Sequence, residues 1–179
     1  MAVQWDAVLT REVARELDSQ LRGVRMRAYR FDGKTRRLTL FTDAGCLEWR
    51  LHPLEGQVRL YPPCDPFKSS ISISAKIRLI DAPDDERRLR IHIQKLRGQG
   101  RSLVFHVFLA TNKRNAFLVN HLNILDKVLQ ERPKDVPPLC VGLPFNAPKP
   151  STRVGAGGKL SRALWEEAAI GLGDGDAPG

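Results

Sequence analysis

The residues best equipped for chemistry are basic ones set beside strand-like runs: Arg25 and Arg27, Arg36 and Arg37, Arg87, Arg88 and Arg90, and Lys113 with Arg114. A guanidinium presents a planar fork of donors that fits phosphate oxygens or a base edge, and a lysine adds a point charge. The chemistry these residues suit is anion binding governed by phosphate electrostatics, with base reading confined to a few forks. Residues 1–129 hold 23 Lys and Arg against 14 Asp and Glu, whereas residues 130–179 hold 6 of each. The whole formal excess of +9 therefore belongs to the first part of the chain. A polyanionic partner for that part is the expectation, and an arginine-rich composition serving only solubility is the simpler alternative.

Other chemistries find little support. His52, His92, His106 and His121 are far apart, and Cys46, Cys64 and Cys140 form no C-x-x-C and have no histidine at ligand spacing. Neither a zinc site nor a disulfide framework is expected. Asp84, Asp85 and Glu86 could hold a cation, but carboxylates at a turn followed by arginines read better as a solvated turn. Gly155-Ala156-Gly157-Gly158-Lys159 has neither the preceding strand nor the register of a phosphate loop. No nucleophile elbow or dinucleotide fingerprint occurs. The start carries no charged segment followed by an apolar one, and no apolar run approaches the ~20 residues of a membrane span. A soluble cytoplasmic protein without a cofactor and without enzymatic activity is expected.

The elements that must position these residues are mostly strands. The stretch from Ala75 to Leu129 alternates apolar and polar residues between turn signals. Ile77 and Leu79 alternate with Lys76 and Arg78; Leu89, Ile91 and Ile93 alternate with Arg88, Arg90 and His92. Leu103 to Leu109 is apolar enough for a central strand, with His106 a core or second-face histidine, and Asn115–Val119 and Ile124–Leu129 follow. Earlier, Val24, Met26 and Ala28 alternate with Arg25, Arg27 and Tyr29, and further strands fall around residues 37–40, 46–51 and 58–61. Ahead of them, Trp5, Leu9, Val13, Leu17 and Leu21, with Val8, make one stripe on a helix over residues 3–21 that Gly23 stops. Arg11, Arg15 and Arg22 on its other face read best as partners of Glu12, Glu16 or Asp18. The fold class is α+β, mostly β: an antiparallel β-sandwich or flattened barrel with an N-terminal helix and a short C-terminal helix. Residues 1–130 form the domain. Residues 131–159 are a Pro/Gly-rich linker, with six prolines between Pro133 and Pro150. Residues 160–179 hold a short helix, Leu160–Ile170, and a disordered tail.

The order of motifs resembles the N-terminal domain of the NFACT family, ribosome-quality-control factors once called fibronectin-binding proteins in bacteria. That family has an Asp-Arg pair opening a strand, a Ser-Asn, an Ile-Leu-Leu-Val run and an Ile-Leu-Asp. The counterparts here are Glu86-Arg87, Arg114-Asn115, Phe117-Leu118-Val119 and Ile124-Leu125-Asp126. The helix from Trp5 and the Gly23-Val24-Arg25 that follows it fit the family's opening, and the resemblance spans about residues 2 to 130. It implies a fold similar to the N-terminal domain of formamidopyrimidine-DNA glycosylases. It also implies that Glu86 and Arg87 hold tRNA, the Arg87 fork gripping phosphate or a base edge and the Glu86 carboxylate orienting it or accepting from a base amino group. It adds Asn115 to the candidate contacts. The sequence departs from the family at three places. A Leu-Arg-Lys helix expected around residues 64–75 is missing, and the Ser-Ile alternation of residues 69–74 extends a strand through Leu79 instead. The pair carries Glu86 where the family has Asp. No second domain or coiled coil follows, as in a fragment or a stand-alone relative.

A non-catalytic RNA-binding module meeting tRNA or large-subunit rRNA on stalled ribosomes through one basic sheet face is the leading expectation. Alternatives are a protein-interaction domain with a basic face, or a DNA-binding glycosylase-like domain. Base excision is not expected of the latter. The resemblance would require an N-terminal proline followed by a glutamate, and removal of Met1 would expose Ala2, then Val3 and Gln4.

Overall fold

A computed structural model describes residues 4–83, 87–98 and 100–145. Its helix, α1 (Ala7–Leu21), starts later than residue 3 because Asp6 caps it: the Asp6 carboxylate accepts from the Leu9 backbone N–H at 2.7 Å. Gly23, at φ +81, turns the chain out of the helix in a conformation glycine adopts freely. The buried stripe is Thr10, Ala14, Leu17 and Leu21, with Leu9 and Val13 half-buried at its margin. Small residues occupy the closest approach to the sheet, and the Thr10 hydroxyl is satisfied by donating to the Asp6 carbonyl at 2.7 Å. The outward arginines do pair as expected of a solvated face, Arg15 with Glu12 and Arg22 with Asp18.

Among the described residues the strands are β1 (Arg25–Asp32), β2 (Arg37–Thr42), β3 (Gly45–His52), β4 (Glu55–Tyr61), β5 (Ile71–Asp81), β6 (Arg88–Lys95), β7 (Ser102–Phe108), β8 (Asn115–Val119) and β9 (Leu125–Val128). They form one antiparallel sheet in the order β4-β3-β2-β1-β5-β6-β7-β8-β9. The sheet is not closed. It curls around a single core, with α1 against β5 and β6. Tyr29 and Phe31 of β1 meet Phe105 of β7 with ring centroids 5.4 and 6.1 Å apart, although two strands lie between them.

Simple alternation mispredicts two points here. A bulge between Met26 and Ala28 breaks the pairing of β1 with both β2 and β5. Past it the strand turns over, so Tyr29 enters the core while Ala28 and Arg30 face outward. A second bulge, between Ile77 and Leu79, puts Ile80 rather than Leu79 in the core. Asp18 of α1 reaches this bulge and accepts from the Ile80 N–H at 2.8 Å.

Arg114 closes the two ends of the curl. Its side chain is buried, and its Nη1 donates to the carbonyls of His52 and Pro53 at 3.1 and 2.5 Å, in the β3–β4 turn. Its Nε donates to Leu109, at the end of β7, at 3.3 Å. Gly56 leaves room for this: a Cβ there would lie 2.7 Å from Arg114 Nε and 3.1 Å from Trp5 Nε1, which itself donates to the Gly56 carbonyl.

Residues 139–145, inside the expected linker, are packed on the sheet, while most of 131–138 is exposed. Arg132 bridges Leu139 and Ile124 bridges Pro144, and Phe145 lies buried against His106 and Phe117 at 4.5 and 5.3 Å. The expected helix at Leu160–Ile170, the tail and the remainder of the linker lie outside the described residues. No helix among the described residues is long and apolar enough to cross a membrane.

Two predictions follow from the packing. Arg114→Met strips three backbone carbonyls of a charged donor and should lower unfolding stability in urea by about 2–4 kcal/mol. Arg114→Lys should recover only part of the loss, because an ammonium lacks the fork; a change under ~0.5 kcal/mol for Arg114→Met would contradict the closing role. The second concerns His106. Burial, then the nearby Arg88, Arg90 and His92, lower its pKa from 6.5 to about 3, so it is neutral in the fold at neutral pH. The unfolded chain takes up a proton at His106 near pH 6.5 and the native one does not until about 3, so stability drains away as pH falls across that window. His106→Phe, which keeps a ring against Phe117 and Phe145, should flatten the stability–pH curve there, as measured by urea midpoints from pH 7 to 4.

Candidate nucleic-acid interface

Each strand that lines the core turns alternate side chains outward, and most of the basic residues lie there. Arg25 of β1 stands directly opposite Lys76 of β5, and Lys76 in turn is opposite Gln94 of β6. Their chain neighbours Met26, Ala75, Ile77 and Ile93 are in the core, which fixes the exposed side for Arg25 and Lys76. Arg25 makes one side-chain hydrogen bond, to Ser74 Oγ at 3.3 Å. Among the described residues no carboxylate pairs with Arg25 or Lys76. Asp43, in the turn after β2 with its N–H donating to the Arg25 carbonyl, has its carboxylate engaged by Arg27.

Farther along β1, Arg30 is held on three sides. Its Nε donates to Ser69 Oγ at 2.7 Å, its Nη2 lies 3.1 Å from Asp32, and its guanidinium sits 5.6 Å above the Phe67 ring. Arg37 stands opposite Arg50 of β3, but Glu48 lies between them, 2.8 Å from Arg50 and 4.0 Å from Arg37. Arg36 occupies the β1–β2 turn with φ 55, a left-handed conformation that costs a non-glycine residue energy. Its carbonyl accepts from the Leu51 N–H at 2.8 Å.

The other candidates gather where β6 begins and β8 starts. Arg87 is exposed, its carbonyl accepts from Leu109 N–H, and no side-chain partner holds it among the described residues. Lys113 is exposed at the end of a single 3-10 turn, Thr111–Lys113. Arg88, by contrast, is buried with its guanidinium 5.7 Å over Phe108. Arg114 is turned inward as described. Asn115 is buried too: its amide donates to the Gln130 carbonyl at 2.8 Å and its oxygen accepts from the N–H groups of Ala116 and Gln130. Arg88, Arg114 and Asn115 thus support the fold and do not present themselves to a partner. Glu86 lies outside the described residues.

Arg90 is committed as well. Its Nε and Nη2 grip both oxygens of Asp81 at 2.9 and 2.8 Å, and His92 Nε2 is 3.0 Å from the same carboxylate. Burial works to raise the Asp81 pKa, but the hydrogen bonds from His92 and Arg90, with the Arg90 charge, outweigh it and bring it down to about 2. The carboxylate stays ionised and neutralises its own stretch of the outer face.

The expected single basic face is therefore divided. Arg25 and Arg27 share one area with Lys76, a residue that the selection of arginine clusters passed over although its alternation with Ala75 and Ile77 already placed it outside. Arg36 and Arg37 lie at the β1–β2 turn, and Arg87 with Lys113 at the β6 and β8 starts. Among the described residues no group of three or more His, Cys, Asp or Glu is placed to hold a metal ion.

Similarity to known proteins is confined to architecture. No protein-family model matches the chain, and no curated protein matches it. Solved structures do. The N-terminal domain of the fibronectin-binding protein PavA from Streptococcus pneumoniae superposes with a TM-score of 0.69 at 16% identity, over 94% of this chain and 72% of that one. The N-terminal part of the fibronectin/fibrinogen-binding protein FBPS from Streptococcus suis gives 0.68 at 16%, over 90% and 69%. The fibrinogen-binding protein from Staphylococcus aureus gives 0.66 at 15%, over 91% and 65%. At such identity the common property is the fold, and this chain has the fold of the N-terminal domains of fibronectin- and fibrinogen-binding proteins.

Proposed function

We propose that this chain is a non-catalytic RNA-binding module, engaging tRNA or large-subunit rRNA on stalled ribosomes as the N-terminal domain of an NFACT-type factor does. The observation that carries the reading is the Arg25–Lys76 pair. Like charges directly opposite on neighbouring strands repel. Where the sheet sets Arg37 against Arg50 it inserts Glu48 to offset them, whereas Arg25 and Lys76 face outward with no such acid among the described residues. A phosphate backbone supplies the missing negative charge and releases counterions as it does so. Arg87 and Lys113 extend the contact to a second area, with Arg87, which has no side-chain partner among the described residues, able to fork onto phosphate or a base edge. The order of the Arg87, Asn115 and Ile124-Leu125-Asp126 motifs supports the same reading, as does a fold like that of the fibronectin-binding protein N-terminal domains.

The names of those structural neighbours favour one other reading: a protein partner of fibronectin or fibrinogen type, or another acidic protein, on the same basic area. Salt separates the two, because phosphate-driven binding falls steeply with counterion concentration.

Fluorescence anisotropy with labelled tRNA from 50 to about 300 mM salt, with a DNA duplex of equal length as comparator, is the experiment. Wild type should prefer tRNA. The Arg25→Ala/Lys76→Ala pair should weaken binding and reduce the log–log salt slope by between one and two. Arg87→Ala should cost binding to tRNA more than to duplex, by about 1–3 kcal/mol. Equal, weak binding to both nucleic acids, indifferent to all three substitutions, would defeat the RNA reading. Retention of fibronectin at 300 mM salt would then favour the protein partner.

A further inference from the structure

Cys46 sits on β3 with its side chain on the outer face, buried with Ala28 and Phe41 in a small apolar cluster apart from the main core. After β4 the chain doubles back over this face through Pro62 to Ser70. Phe67 stands edge-on to Phe41 with centroids 5.5 Å apart, and Arg30 rests over Phe67 and against Ser69. Cys64 lies in this returning segment and is exposed. Cys46 pairs with Tyr61 across β3 and β4, which brings Cys64, three residues further on, back beside it: the Cys46 thiol is 4.0 Å from the Cys64 carbonyl oxygen. Cys140, the remaining cysteine, belongs to the segment that covers β8 and β9.

We infer that Cys46 and Cys64 are an oxidisable thiol pair, a modification site that closes into a disulfide and pins the Pro62–Ser70 segment to the outer face of β1–β3. Cys64 is exposed and Cys46 is buried with its thiol against the Cys64 backbone, an arrangement suited to an attacking and a resolving cysteine. With a low-molecular-weight disulfide such as oxidised glutathione as oxidant, the Cys64 thiolate attacks one sulfur and releases one glutathione thiolate. The Cys46 thiol then loses its proton to solvent, and its sulfur displaces the second glutathione from Cys64. Two protein thiols are oxidised to one disulfide, and one glutathione disulfide is reduced to two thiols. Burial, with the neighbouring Cys64 thiol, pushes the Cys46 pKa up to about 11, so ring closure is the slow step and quickens with pH. In a reducing compartment such a pair responds to oxidation and does not act as a permanent brace. The pinned segment carries Phe67 and Ser69, so oxidation fixes the setting of Arg30. The inference stands whether or not RNA is the partner.

The test treats the full chain with oxidised glutathione, quenches with an alkylating reagent and maps the cysteines by peptide mass spectrometry. The expected product is an intramolecular Cys46–Cys64 peptide with Cys140 still alkylatable. Cys46→Ala should stop at a stable glutathione adduct on Cys64, and Cys64→Ser should leave Cys46 unreacted. Closure in wild type should accelerate by roughly tenfold per pH unit between pH 7 and 10, as the Cys46 thiolate fraction rises. A persistent Cys64 adduct in wild type, or dimers joined through Cys64, would overturn the pairing. Both variants alter only this small cluster and the exposed segment, and circular dichroism verifies that they fold.

Discussion

The buried guanidinium of Arg114 is the constraint on which the rest of the curl depends. An open antiparallel sheet of this width has two free ends, and apolar packing alone does not say which parts of them must meet. Arg114 makes that choice, because its fixed fork reaches carbonyls in the β3–β4 turn from one side and the end of β7 from the other. A buried cation is tolerable only with such satisfaction, so the residue specifies the closure as much as it stabilises it. The same requirement explains Gly56, which stays without a side chain where Trp5 and Arg114 converge. It also explains why a residue that reads as a surface base beside Lys113 belongs to the interior.

Closure divides the outer surface into unlike halves. On β7 and β8 the outward side chains are Val104, His106, Phe108, Phe117 and Val119, too apolar to face water, and the segment through Leu139 to Phe145 covers much of them. On β1, β2 and β3 the smaller cluster of Ala28, Phe41 and Cys46 is roofed by Phe67. Between the two covers run β1, β5 and the near edge of β6, where Arg25, Lys76 and Gln94 face outward.

Much of this was readable from residue pattern. Alternation located the strands, and the Ser-Ile run correctly joined β5 (Ile71–Asp81). What alternation could not see were the bulges. One extra residue after Met26 inverts every later side chain of β1, which moved Tyr29 into the core and Arg30 out of it. Arg88 differs for another reason: a polar residue in an amphipathic strand looks solvent-facing until its seat over a ring such as Phe108 is known. Asn115, a candidate through the resemblance, is occupied by the backbone of Gln130 and Ala116. For the site, sequence offered charge without geometry. It counted arginines, yet which of them already have acids depends on cross-strand neighbours far away in the chain, as Asp81 is for Arg90 and Asp43 for Arg27.

That distinction between counted and available charge governs how a partner meets this surface. An ion pair already formed on the protein must be partly undone before its arginine can take a phosphate, so Arg27, Arg37 and Arg90 contribute less than their formal charge. Arg25, Lys76, Arg87 and Lys113 carry no such cost among the described residues. They also stand on rigid supports, the first two on paired strands and the others at strand or turn ends fixed by backbone bonds to Leu109 and Ala110. Cations held at set spacing lose little entropy when a repeating anion docks. A partner whose negative charges are held at fixed spacing would lose less entropy on them than a flexible acidic segment that must be ordered as it docks. Affinity on this surface should therefore follow the spacing of negative charge on the partner more closely than its total.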